Sequence, residues 1–142
     1  MNATWATTAG AMTFVWLGMV VAISFLETPL KFRAPGVTVP IGLGIGRLVF
    51  RALNRVEAVL AAVVLAAVLA GGASAGVLGL ALAVVVLLAV QVGVVRRRLS
   101  RRSDRVLAGE QLPRSRGHLA YVAFEVAKVA LLVALGVALL AV

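Results

Sequence analysis

The chain has 142 residues, of which 63% are hydrophobic and 13% charged, with a formal net charge of +9 and no cysteine. Soluble domains are about half apolar and about a quarter charged, so these values and a mean hydropathy of +1.10 exclude an ordinary soluble domain and point to an integral membrane protein. Disulfides and thiolate metal sites are excluded with the cysteines, and nucleic-acid binding is not expected, because the basic residues gather at the ends of apolar runs and no groove-reading domain is present.

A span needs about 20 apolar residues to cross a hydrocarbon core of about 30 Å, and residues 9–28 supply the first. The first positive side chain is Lys31, so this segment lacks the basic region of a signal peptide and reads as a retained transmembrane helix. Pro35, Gly36 and Pro40 then break the chain. The next uncharged run, from Ala58 to Ala70, is too short to cross alone. The second helix must therefore start upstream, over 44–70, and draw Arg47, Arg51, Asn54, Arg55 and Glu57 toward the membrane. "GLGIG" (42–46) just ahead of that stripe reads either as a turn offering free backbone N–H groups to an anion or as a flexible re-entry from the proline-bounded loop.

"AGGASAG" (70–76) makes a tight turn into a third span over 75–95, in which Gln91 is the polar exception. The segment 96–117 holds eight arginines and two acids and reads as a cytoplasmic linker, with room for a short surface helix in "RVLAGEQL"; it either binds anionic lipid headgroups or serves as a topology signal alone. The fourth span covers 118–142 and opens with "HLAYVAFEVAK", where His118 and Glu125, and likewise Tyr121 and Lys128, are seven residues apart and share a helix face. The predicted architecture is all-α: one membrane domain, a four-helix antiparallel bundle with both termini outside and every basic residue on or toward the cytoplasmic side of the cell membrane.

Counting from the outer ends puts Arg55 and Glu125 at similar depth, which predicts the ion pairs Arg55–Glu125 and Glu57–Lys128. Glu27, near the end of the first span, joins the same polar cluster. Arg47, Arg51, Arg55, His118 and Lys128 outnumber the acids Glu27, Glu57 and Glu125. Unpaired buried cations are costly, so this excess predicts an anionic occupant held by those five residues; the competing reading is that the ion pairs fix helix register and topology without binding anything. Glu27, Asn54, Glu57, Tyr121 and Glu125 are expected to support the cations or relay protons. No catalytic motif, metal site or cofactor is expected: a single histidine makes a thin ligand set, and no nucleophile elbow, P-loop or metalloprotease signature occurs.

The stretch "GMVVAISFLETPLKFRAPGVTVPIGLGIGRLVFRALNRVEAVLA" (18–61), with Pro29 followed by Phe32, a short loop and a second helix opening on a polar face, resembles uncharacterised bacterial four-helix membrane proteins and the bacterial relatives of transmembrane protein 205. The resemblance implies a compact four-helix bundle and assigns no catalytic residue. The expected function is binding of an anionic ligand or lipid headgroup at the cytoplasm-facing cluster, with transport as one use of it. The alternatives are an accessory subunit of a larger membrane complex and a haem- or quinone-linked redox protein. Expected partners are anionic membrane lipids, with a homo-oligomer or larger complex as the assembled form.

Overall fold

The computed structural model describes residues 1–112 and 116–142, with His118 described by its backbone alone. Four long helices make up the fold, and no strand occurs among the described residues. They are α1 (Ala3–Lys31), α2 (Val39–Ala70), α3 (Ala75–Leu107) and α4 (Gly117–Leu140). All four are long and apolar enough to cross a membrane, which suits a multi-pass membrane protein.

Local chemistry sets the helix ends. The Asn2 side chain accepts from the Thr4 N–H at 3.0 Å, and the Ser74 hydroxyl accepts from the Val77 N–H at 3.4 Å, each satisfying a donor that the first turn leaves free. Gly36, Gly72 and Gly109 carry positive φ in the turns after α1, α2 and α3, a backbone region that glycine enters without a Cβ penalty. The Asn2 N–H also donates to the Gly71 carbonyl at 3.1 Å, which ties the start of α1 to the α2–α3 turn.

Each helix packs against its chain neighbours, and α1 also packs against α4, so the four close into a square with α2 and α4 on one diagonal. The core is layered along the bundle axis. At the end bearing both termini, Ala9, Val64, Ala67, Val68, Val77, Ala81, Leu135 and Leu139 pack together. A middle layer contains Trp16, Val20, Leu60, Ala61, Val84, Leu88 and Leu132, and near the basic end Phe50 and Leu53 meet Tyr121. The outer faces carry large exposed apolar residues such as Leu48, Val59, Val86 and Val137.

Two expectations are corrected here. The third helix does not end at residue 95: it runs on to Leu107 and absorbs half of the expected linker, because arginine is a good helix former and Asp104 ties this extension to Arg47 of α2 at 2.5 Å. "GLGIG" is not an anion-binding turn either. α2 already begins at Val39, and the Gly42 N–H is spent on the Thr38 carbonyl at 2.9 Å.

The glycines serve packing instead. A Cβ on Gly42 would overlap the Phe32 ring, and one on Gly46 would lie 3.1 Å from the Lys31 ammonium, whereas Gly44 faces open space. Gly42→Ala is therefore expected to lower thermal stability in detergent by about 1–3 kcal/mol. Gly44→Ala, measured alongside, should be neutral or slightly stabilising through its helix propensity.

Candidate functional site

The bundle centre is polar where the helices are most tightly enclosed. Lys128 of α4, completely buried, reaches across the diagonal to Glu57 of α2, with Nζ 2.6 Å from Oε1. The same ammonium lies 3.0 Å from Oε1 of Glu125, one turn earlier on α4. Trp16 of α1 donates its indole N–H to Glu57 Oε1 at 2.9 Å, and Gln91 of α3 donates its amide to Glu125 Oε1. All four helices thus contribute to one network, Trp16–Glu57–Lys128–Glu125–Gln91. Glu57 and Glu125 are 1% and 2% exposed, and at that burial an ammonium needs hydrogen-bonded carboxylates to remain charged.

Two π-helical segments lie beside this network, Val21–Glu27 within α1 and Gln91–Arg96 within α3. Such wide turns are rare and concentrate at functional sites. In α1 the wide turn is closed by Thr28, whose hydroxyl donates to the Ile23 carbonyl five residues back at 2.9 Å. In α3 its effect is on register. Residues five apart lie about 140° apart around an α-helix, but an i→i+5 ladder brings them onto one face, as the i→i+4 ladder does for residues four apart in an α-helix. Gln91 and Arg96 therefore face the same side.

Arg96 is held between aromatic rings, its guanidinium carbon 4.0 Å from the Phe50 ring centre and 5.1 Å from that of Tyr121. The two rings meet edge-to-face at 5.4 Å. Arg96 Nε and Nη2 are buried with no hydrogen-bond partner, and Ser24 Oγ, Gln91 Oε1 and Glu125 Oε2 are likewise unsatisfied.

Beyond Arg96 a cavity of about 500 Å³ opens between α2 and α3 toward the basic end. From α2 come Arg47, Arg51 and Asn54; from α3 come Val92, Arg96, Arg97, Ser100, Arg101 and Asp104. Five guanidinium groups thus face one carboxylate, and that carboxylate is already paired with Arg47. This surplus of donors suits a phosphate or carboxylate group.

The single cluster expected from the sequence is therefore two. Arg47, Arg51 and Asn54 line the cavity, while Glu57, Glu125 and Lys128 form the buried network. Tyr121 stands between them. Glu27 joins neither and pairs with Lys31 at 3.3 Å. The His118 side chain lies outside the described residues. Glu57–Lys128 forms as the depth argument predicts, but Arg55–Glu125 does not, since Arg55 is exposed and Glu125 pairs with Lys128. The reason is angular: residues two apart differ by about 200° around a helix, so with Glu57 facing the centre Arg55 must face outward.

Lys128 is likewise no ligand-binding residue of the cavity, because both its carboxylate partners are internal. The residues missed are Trp16, Ser24, Arg96, Arg97, Arg101 and Asp104. The arginine run did mark Arg96 to Arg101, but as linker; nothing in the pattern marked Trp16 or Ser24. Among the described residues no group of three or more His, Cys, Asp or Glu side chains is placed to hold a metal ion. Comparison with known proteins finds no matching family, no matching curated protein and no matching solved structure.

Lys128→Met strands two buried carboxylates without their shared cation, and removing one partner of such a network costs about 3–5 kcal/mol. Arg55→Ala removes an exposed side chain and should shift stability by less than about 0.5 kcal/mol. Thermal unfolding of both variants in one detergent checks the contrast; equal losses would contradict the assigned roles.

Proposed function

We propose that this chain is a multi-pass protein of the cell membrane that binds an anionic group, a lipid headgroup or another phosphate- or carboxylate-bearing molecule, in the arginine-lined cavity between α2 and α3. The observation that carries this reading is the charge of the cavity, in which Arg47, Arg51, Arg96, Arg97 and Arg101 face Asp104 alone. The positive-inside rule supports an orientation with the arginine-rich end in the cytoplasm and both termini outside, so the cavity would open toward the cytoplasmic leaflet. Its depth suits headgroup phosphates, because arginines near a helix end extend toward the interface while their stems stay in apolar surroundings. Anionic lipids gain about 1 kcal/mol per basic residue near the surface. The likeness of residues 18–61 to the bacterial relatives of transmembrane protein 205 belongs to this proposal as a statement of layout.

The alternative of an accessory subunit draws on a different observation, the complete internal pairing of Lys128, which would make the network purely a device for unique helix packing. Native mass spectrometry separates the two. Delipidated protein offered phosphatidylglycerol and phosphatidylcholine in equal amounts should retain phosphatidylglycerol. The double variant R51A/R101A should lose most of that preference while unfolding at nearly the wild-type temperature. Equal retention of both lipids by the wild type, with inorganic phosphate also failing to bind, would defeat the anion-site reading.

A further inference from the structure

Arg96 belongs to two structures at once. It lines the anion cavity, and it stands over the Tyr121 ring at the edge of the buried network. Its Nε and Nη2 lack an acceptor, while Glu125 Oε2 in the same region makes no close hydrogen bond, the Tyr121 hydroxyl interacting with that carboxylate from its own helix. Arg96 and Glu125 interact electrostatically without forming an ion pair, and unspent donors and an unspent acceptor are costly in a low-dielectric interior.

Building on the anion-site reading above, we propose that Arg96 is shared between the cavity anion and Glu125, so that anion binding is coupled to uptake of a proton by Glu125. The charges facing Glu125 define the balance. Lys128 and Tyr121 approach from its own helix, Glu57 from α2 and Arg96 from α3. From α1 the facing groups at this level are Trp16 and Ser24, neither of which titrates; the Glu27–Lys31 pair lies farther along, with Lys31 5.6 Å from the Phe50 ring centre.

With Glu57 and Glu125 ionised and Lys128 and Arg96 protonated, the set is neutral. An anion that engages Arg96 takes one positive charge out of the balance and leaves two carboxylates sharing one ammonium. A proton arriving from water through the cavity and binding at Glu125 Oε2 restores the neutrality of the network, and any further charge on the anion is met by Arg47, Arg51, Arg97 and Arg101 of the cavity. This is the coupling that a proton-linked anion carrier requires.

The test is calorimetric binding of sulfate to the full chain in detergent, repeated in buffers of different ionisation enthalpy and across a pH series. Sulfate serves because it does not itself titrate near neutrality. Wild type should take up about one proton per anion bound, and its affinity should rise as pH falls, by up to about tenfold per pH unit. Glu125→Gln should bind sulfate with no proton uptake and no such pH dependence. Arg96→Gln, which leaves the Glu57–Lys128–Glu125 contacts intact, should bind about tenfold more weakly and also without uptake.

A parallel titration with phosphatidylglycerol in nanodiscs identifies the source of the anion. Uptake with the lipid alone assigns a headgroup, uptake with sulfate assigns a free anion, and either supports the coupling. Binding of sulfate or lipid with no proton change for either probe in the wild type would overturn the coupling and leave the cavity reading standing. Uptake that persists in Glu125→Gln would overturn the assignment to Glu125. Failure of both probes to bind at every pH would overturn the cavity reading and the coupling together.

Discussion

An ammonium group carried to the centre of an apolar bundle must find its counter-charges there, and in this protein Lys128 finds two, Glu57 across the diagonal and Glu125 on its own helix. That requirement organises much of the rest. It fixes the depth of α2 against α4, since a slip of one turn on either helix would separate the pair by about 5 Å. It fixes the rotation of both helices, because the carboxylates and the ammonium must face inward together. Trp16 and Gln91 then bind α1 and α3 to the same oxygens. A bundle whose other contacts are largely Ala, Val and Leu offers many near-equivalent packings, and a polar network that only one register satisfies selects among them.

The network also explains why the basic end is built differently from the opposite end. Toward the termini the core is small and aliphatic, and helix packing needs nothing further. Toward the basic end, two π-helical segments change the faces that α1 and α3 present, and α3 turns Arg96 onto the side of Gln91. Of the arginines that follow, Arg97 and Arg101 lie opposite Arg47 and Arg51 and the cavity forms between them, whereas Arg98 and Arg102 face Gly117 and Ala120 of α4. Network and cavity meet at Arg96, which lines the cavity and lies over the Tyr121 ring.

Hydropathy and length alone reveal the four helices, because an apolar run of about 20 residues is a strong signal. Counting residues from the helix ends brings Glu57 level with Lys128, since helical rise is constant. What the pattern conceals has physical causes. Arg55 reads as a partner of Glu125 when depth is counted without angle; its position two residues from Glu57 turns it outward. Arg96 reads as linker because a regular α-helix would place it well away from the Gln91 face, and the π-helical turn that brings it back has no simple sequence signature. Trp16 is indistinguishable in sequence from an ordinary core aromatic, although its indole N–H gives it a partner. The glycines of 42–46 read as an anion-binding turn but open space for Phe32 and Lys31.

Lys128 is buried and shared by two carboxylates. The chain has only two lysines, Lys31 and Lys128, so Nζ-labelled lysine gives two resonances that Lys31→Arg assigns. The decisive measurement is solid-state NMR dipolar recoupling between the Lys128 ammonium nitrogen and labelled glutamate side-chain carboxyl carbons, on protein in lipid bilayers. Strong coupling to two carboxyl carbons, one lost in Glu57→Gln labelled only at the glutamates and the other in Glu125→Gln, is the predicted result. An ammonium coupled to neither carboxylate and exchanging freely with water would contradict the account.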